Sequence, residues 1–187
     1  MPDNYGIWQD WECTTHHHST AMLRELIRLH QTYCPGMPVV DYGCGDGYYV
    51  KGMAGQGIEV LGVEGSELAD GQPLIQRRNL CEDFDALPGR ERMAVCLEVG
   101  EHIPAQFTDA LLTNVCRSAP VVALSWALRG QRGVGHVNCL NNAEVIDMLK
   151  QRGYEYLPGE SAKVREAIRR AYECLWFAAT FMLFRRL

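Results

Sequence analysis

None of the eight cysteines falls in a C-x-x-C pair: Cys13, Cys34, Cys44, Cys81, Cys96, Cys116, Cys139 and Cys174 stand singly along the 187 residues. A structural zinc site needs short paired spacings, and a disulfide scaffold belongs to small secreted chains. Both are excluded, so the thiols read as reduced and mostly buried, small apolar groups. A long hydrophobic run is also missing. The longest, residues 175–184, is interrupted by Thr180 and reaches half of the roughly 20 residues that a membrane span needs. Residues 1–5 carry neither the basic nor the apolar segment of a secretory leader. A cytoplasmic protein without membrane contact is expected. Nor is there an excess of positive charge. The 18 basic and 23 acidic residues give a net charge of −5, which removes the basic footprint of a general nucleic-acid binder.

What is present has the balance of a packed domain. Hydrophobic residues make up 47% and charged residues 22%, near globular averages. The length suits one domain over residues 1–187, with residues 1–34 as an N-terminal cap and first helix, and residues 35–187 as a core closed by a C-terminal strand pair. Apolar spacing predicts helices over 19–33, 48–54, 104–117, 143–152 and 162–172, with a short one after Ser66. Asn142 is the expected N-cap of the fourth of these and Pro104 the first helical residue of the third. Runs at 38–42, 59–64, 73–76, 93–98, 121–126 and 154–157 read as strands, followed by a last strand over 176–184. Alternating strands and helices imply an α/β sheet, mainly parallel and covered on both faces.

The most informative stretch is the apolar strand ending at Asp41 and Tyr42, which runs into Gly43-x-Gly45-x-Gly47 and then a helix. Glycines allow positive φ and close approach of a ligand to the backbone. A pyrophosphate-binding turn needs G-x-G-x-x-G, and here the third glycine comes one residue early. Glu64 ends the next strand, where a carboxylate accepts both hydroxyls of a ribose and repels a 2′-phosphate.

This pattern resembles motif I of the class I S-adenosylmethionine-dependent methyltransferases, and the resemblance extends over nearly the whole chain. It implies a Rossmann-like, doubly wound seven-stranded sheet, mostly parallel with an antiparallel last strand at 181–186. S-adenosyl-L-methionine is the implied cofactor, contacted by Asp41, Gly43, Gly45, Gly47, Glu64 and Leu97. Asn79 and Leu80 fall where such enzymes often carry Asp-Leu beside the adenine amine. Residues 97–104, with Glu98, Glu101 and His102, match the family's Glu-x-x-Glu-His-Ile/Leu segment.

In a turn leaving the fourth strand, the spacing of Glu98, Glu101 and His102 puts three ligating groups on one side. Two carboxylates and an imidazole suit Mg²⁺, Mn²⁺, Fe²⁺ or Zn²⁺, and His136, after the neighbouring fifth strand, is a candidate fourth ligand. The arrangement is similar to that of ubiquinone-pathway O-methyltransferases and of enzymes that methylate the 2′-hydroxyl at the 3′ end of small RNAs. The same groups also serve as general acids and bases, or cap the following helix. Without a metal, His102 and His136 are the catalytic base candidates. Trp8, Trp11 and the run 16–18 before the first helix, with Trp126 and Arg129 after the fifth strand, are expected to form the acceptor pocket. Lys163, Arg165, Arg169 and Arg170 read as a solvated helix face.

The expected activity is methyl transfer to an oxygen of a small molecule or sugar, either with metal assistance or with the histidines as bases. The alternatives are a metal-dependent RNA 2′-O-methyltransferase, disfavoured by the acidic balance, and a non-catalytic cofactor-binding subunit of a larger complex.

Overall fold

Four consecutive buried residues, Val39, Val40, Asp41 and Tyr42, make up β1 (Val39–Tyr42). A strand with no exposed face belongs in the interior of a sheet covered on both sides. The computed structural model, which describes residues 4–7 and 17–187, places it there. In chain order the elements are α1 (Thr20–Tyr33), β1, α2 (Tyr48–Ala54), β2 (Val60–Glu64), β3 (Ile75–Arg77), β4 (Met93–Leu97), α3 (Thr108–Cys116), β5 (Val121–Ser125), α4 (Asn142–Gln151), β6 (Tyr154–Tyr156), α5 (Pro158–Ala171), α6 (Phe177–Thr180) and β7 (Met182–Arg186). They form a seven-stranded sheet ordered β3-β2-β1-β4-β5-β7-β6. Strands β1 to β5 are mutually parallel, whereas β7 runs antiparallel to both β5 and β6. The Rossmann-like sheet expected from the sequence is the one observed.

Helices bury each face. One apolar cluster holds Met22 and Leu26 of α1, Met53 of α2, Val164 of α5 and Phe177 of α6. The other holds Leu111 and Val115 of α3 with Val145 and Leu149 of α4. Burying one such side chain fully contributes about 1.5–3 kcal/mol. The N-terminus of α1 is closed twice. Ser19 Oγ accepts the Met22 N–H at 3.0 Å, and Glu173 accepts from Ser19 Oγ, Thr20 Oγ1 and Ala21 N at 3.0, 2.6 and 3.0 Å. That clamp ties the segment between α5 and α6 onto the start of the first helix. Among the described residues no helix is long and apolar enough to cross a membrane.

Four boundaries differ from the sequence expectation. The run at 176–184 opens as helix α6, and β7 begins only at Met182; a short apolar run does not distinguish strand from buried helix. Helix α5 starts at Pro158 rather than residue 162, with proline in its first turn. Ser161 there is buried and bonds to the Leu157 carbonyl and the Leu183 N–H, a polar contact that apolar spacing does not register. The capping box of α4 uses Asn141 with Glu144, not Asn142. The helix after Pro104 opens as a single tight turn, Ala105–Phe107, before α3.

The strand order reverses between β1 and β4, so a crevice opens at the carboxyl ends of these two strands.

Candidate active site

A cavity of about 460 Å³ fills this crevice. Asp41, Gly43, Gly45, Glu64, Asn79, Leu80 and Leu97 line it, as the sequence pattern implies. Gly47 stands behind it as the N-cap of α2. Gly43 and Gly47 both have φ of 77°. A Cβ on Gly43 would lie 2.5 Å from Val99 Cγ2, and one on Gly47 would lie 2.8 Å from Ile75 Cδ1. The turn therefore requires glycine for conformation and for space. Glu64 accepts the Gly45 N–H at 3.0 Å and the Ser66 N–H at 2.8 Å, one on each carboxylate oxygen. Each oxygen keeps a further lone pair for a ligand hydroxyl. Asn79 Oδ1 accepts the Cys81 N–H at 3.0 Å, which shapes the wall around Leu80.

Asp41 is buried, and Oδ2 has no hydrogen-bond partner among the described residues. Burial, with the Glu64 charge adding to it, pushes this carboxyl up to about 7 from an ordinary 3.8. Between those values the folded chain holds a proton that the unfolded chain has released, so stability falls as pH rises. Burial raises Glu98 and Glu101 in the same sense. The melting temperature of the ligand-free protein is therefore expected to be lower at pH 7.5 than at pH 5, and Asp41→Asn to flatten the dependence. A melting temperature that rises across this window would contradict the assignment.

The opposite half of the cavity is built on the loops after β4 and β5. Among the described residues, one ligand atom each from Glu101, His102 and His136 lie within 4.8 Å of one another. His102 Nδ1 donates to the Gly135 carbonyl and His136 Nδ1 to the Gln131 carbonyl, both at 3.2 Å. Since a carbonyl only accepts, Nδ1 carries a proton in each ring, which leaves Nε2 as the nitrogen a ligand or base would use. Burial and the neighbouring His136 push His102 down to about 4, which keeps that ring neutral at physiological pH. The Glu101 side chain is fully buried, and neither carboxylate oxygen has a hydrogen-bond partner among the described residues. Burial, then the Glu98 charge, raises it well above the usual carboxylate range.

Glu98, grouped with these three from its spacing, stands beside the cluster rather than in it. Its carboxylate accepts from Thr180 Oγ1 at 3.0 Å and from Gln131 Nε2 at 3.4 Å. Its φ of 53° is a left-handed conformation in a non-glycine residue, which costs about 1–3 kcal/mol and concentrates at functional sites. Thr180 and Gln131 are residues that sequence reasoning missed, although Thr180 is the polar break in the run 175–184 and so left a signal.

Trp126 and Arg129 do not form the pocket. Trp126 is fully buried, and its indole N–H donates to the Asn138 carbonyl at 2.6 Å. Its ring fills the space over Gly100, where a Cβ would lie 2.3 Å away. Asn138 in turn donates to Thr108 Oγ1 at 2.9 Å, and its backbone N–H to the Glu101 carbonyl at 3.0 Å. Trp126 thus pins the loop carrying His136 to the turn carrying Glu101. Arg129 pairs with Glu144 through two nitrogens at 2.8 and 2.5 Å. His17 and His18, from the expected run 16–18, do line the cavity, and Trp176 and Phe177 supply lining that was not expected. His18 stacks on Tyr48 at 4.3 Å and bonds Asp46 at 3.1 Å. Trp8, Trp11 and His16 lie outside the described residues. On α5, Lys163, Arg169 and Arg170 pair with Glu160 or Glu166 on the same helix, the solvated face expected; Arg165 instead donates to the Phe181 carbonyl.

Sheet order and crevice together define the class: the chain has the class I S-adenosylmethionine-dependent methyltransferase fold that its glycine turn resembled. In sequence it is 28% identical over 159 residues to a ubiquinone biosynthesis O-methyltransferase of Methylococcus capsulatus, a match covering 79% of this chain and 62% of that protein. The chain therefore spans less than two thirds of that relative's length. Magnesium protoporphyrin IX methyltransferase from Synechocystis PCC 6803, solved with S-adenosylhomocysteine, superposes with a TM-score of 0.63 at 18% identity, over 89% of this chain and 82% of that one. A small RNA methyltransferase superposes with a TM-score of 0.62 at 16% identity, over 92% of this chain and 27% of that one. No protein-family model matches the chain.

Proposed function

We propose that this chain is an S-adenosylmethionine-dependent methyltransferase that acts on an oxygen of a small molecule or sugar, with a divalent cation at Glu101, His102 and His136. One observation carries the reading: a single cavity joins the Gly43–Glu64 cradle to a buried carboxylate and two imidazoles in ligand-competent tautomers. The cradle fits the cofactor, because positive-φ glycines bring backbone to the cavity wall and Glu64 keeps lone pairs for ribose hydroxyls. The donor set fits a cation, because the Glu101 carboxylate is buried without a hydrogen-bond partner among the described residues, and such a charge is relieved by a proton or a metal. One carboxylate and two imidazoles suit Mn²⁺, Fe²⁺ or Zn²⁺ better than an all-oxygen site would. The name of the Methylococcus relative supports an oxygen as the acceptor atom. The seven free cysteines among the described residues support a reducing, cytoplasmic setting.

When bound, S-adenosylmethionine supplies a methyl group on a sulfonium whose departure leaves a neutral thioether. The chain's own task is alignment. Asp41 and the turn at 43–47 hold the cofactor end of the crevice, and the loops after β4 and β5 hold the acceptor opposite, in near-attack geometry. Glu101, His102 and His136 would hold a cation, and its chemistry there would be to lower the pKa of an acceptor hydroxyl. Where no cation is present, His102 and His136 are the base candidates in the cavity, and burial, which lowers His102 to about 4, weakens that ring as a proton acceptor. The test is transfer of labelled methyl to a panel of phenols, sugars and short RNAs, with Mn²⁺ and after chelation. Metal-dependent methylation of a phenol or sugar is expected. Activity unchanged by chelation removes the metal, and transfer to RNA alone replaces the acceptor class.

A further inference from the structure

Among the described residues five carboxylates line the cavity, Asp41, Asp46, Glu64, Glu98 and Glu101, against one lysine or arginine, Arg132. Arg132 is exposed and, among the described residues, pairs with no carboxylate, whereas Arg129 three positions earlier is bound to Glu144. Its backbone is nonetheless held on both sides. Gln131 Oε1 accepts the Leu128 N–H at 3.2 Å, Gln131 Nε2 donates to Glu98, and the Gln131 carbonyl accepts from His136. On the other side the His136 ring occupies the space a Cβ on Gly133 would fill, 2.1 Å from Nε2. A flexible, uncommitted guanidinium therefore stands on an anchored base beside the Glu101–His102–His136 cluster.

The sheet order separates Arg132 from the ribose end of the site. Glu64 ends β2, two strands from β4, while Arg132 follows β5 on the other side of β4. Trp176 and Phe177 add aromatic lining to the cavity. Among the described residues Arg132 is the one lysine or arginine in the lining, and its guanidinium offers a fork that matches a carboxylate or phosphate. We infer that Arg132 recognises an anionic group, carboxylate or phosphate, on the acceptor, so that the enzyme methylates small acidic hydroxy compounds rather than neutral ones. This rests on the methyltransferase reading above.

The experiment is calorimetric titration of the full chain, saturated with S-adenosylhomocysteine, with matched probes: catechol against 3,4-dihydroxybenzoate, and glucose against glucose 6-phosphate. The first pair tests a carboxylate and the second a phosphate. The anionic member of at least one pair is expected to bind about tenfold tighter, the magnitude of one charge-assisted contact at an exposed mouth. Arg132→Gln is expected to abolish that preference with S-adenosylhomocysteine affinity unchanged, and Arg132→Lys to retain part of it. Equal binding within both pairs overturns the inference, as does a preference that survives Arg132→Gln. So does a loss of S-adenosylhomocysteine affinity in Arg132→Gln, which would place Arg132 on the cofactor's own carboxylate, and so does Arg132-dependent binding of a ten-nucleotide RNA tighter than every small anion. Failure of the unaltered chain to bind S-adenosylhomocysteine overturns the methyltransferase reading instead, and this inference with it.

Discussion

Glu101→Gln is expected to leave the fold intact, raise the melting temperature of the ligand-free protein at neutral pH, and lower methyl transfer by at least about a hundredfold. The opposite signs follow from one residue. Its carboxylate is fully buried beside Glu98 and has no hydrogen-bond partner among the described residues, so ionising it destabilises the empty protein, and burial and the Glu98 charge raise its pKa accordingly. Glutamine keeps the volume and removes the charge, which relieves that strain. It also removes the anionic member of the cluster that His102 and His136 complete. Backbone ties from the Glu101 carbonyl to Val137 and Asn138 are untouched by the change, so the loops stay in register. Thermal unfolding at pH 7.5 and an Mn²⁺ titration of activity measure the two halves. A variant that melts higher and still turns over normally would refute the cation while leaving the cofactor site standing.

Glu64→Ala is expected to weaken cofactor binding by about two orders of magnitude or more. The carboxylate does two jobs at once, accepting the Gly45 and Ser66 N–H groups and offering its remaining lone pairs to the cavity. Hydrogen bonds to a charged group contribute about 1.5–3 kcal/mol each, and the lost ribose contacts alone account for a hundredfold. Glu64→Gln keeps one acceptor oxygen and the shape, so it is expected to lose less affinity and little stability. Titration of each variant with S-adenosylhomocysteine, beside its melting curve, separates a collapsed turn from a lost contact. Equal affinity in the parent and Glu64→Ala would show that the ribose end lies elsewhere.

Much of this site is legible because its determinants are local. Gly43-x-Gly45-x-Gly47 between an apolar strand and a helix, with Glu64 one strand on, carries its geometry within two dozen residues. The alternation of apolar strands and amphipathic helices carries the sheet order in the same way, since parallel crossovers permit few arrangements. What stayed hidden depends on contacts between distant segments. Nothing near Trp126 indicates that its ring will cover Gly100 and tie down Asn138 instead of facing the ligand. Glu98 and Glu101 look equivalent in sequence, yet Thr180, from the far end of the chain, engages one and leaves the other for the cluster. The clamp of Glu173 on α1 is likewise invisible until α5 and α6 fold back.

The central claim is tested most directly by titrating the unaltered chain with S-adenosylhomocysteine and, separately, with NADH in a calorimeter. One site per chain for S-adenosylhomocysteine, weakened about a hundredfold or more in Glu64→Ala, with no heat from NADH, is the expected result. Heat from NADH, or none from S-adenosylhomocysteine, would contradict it.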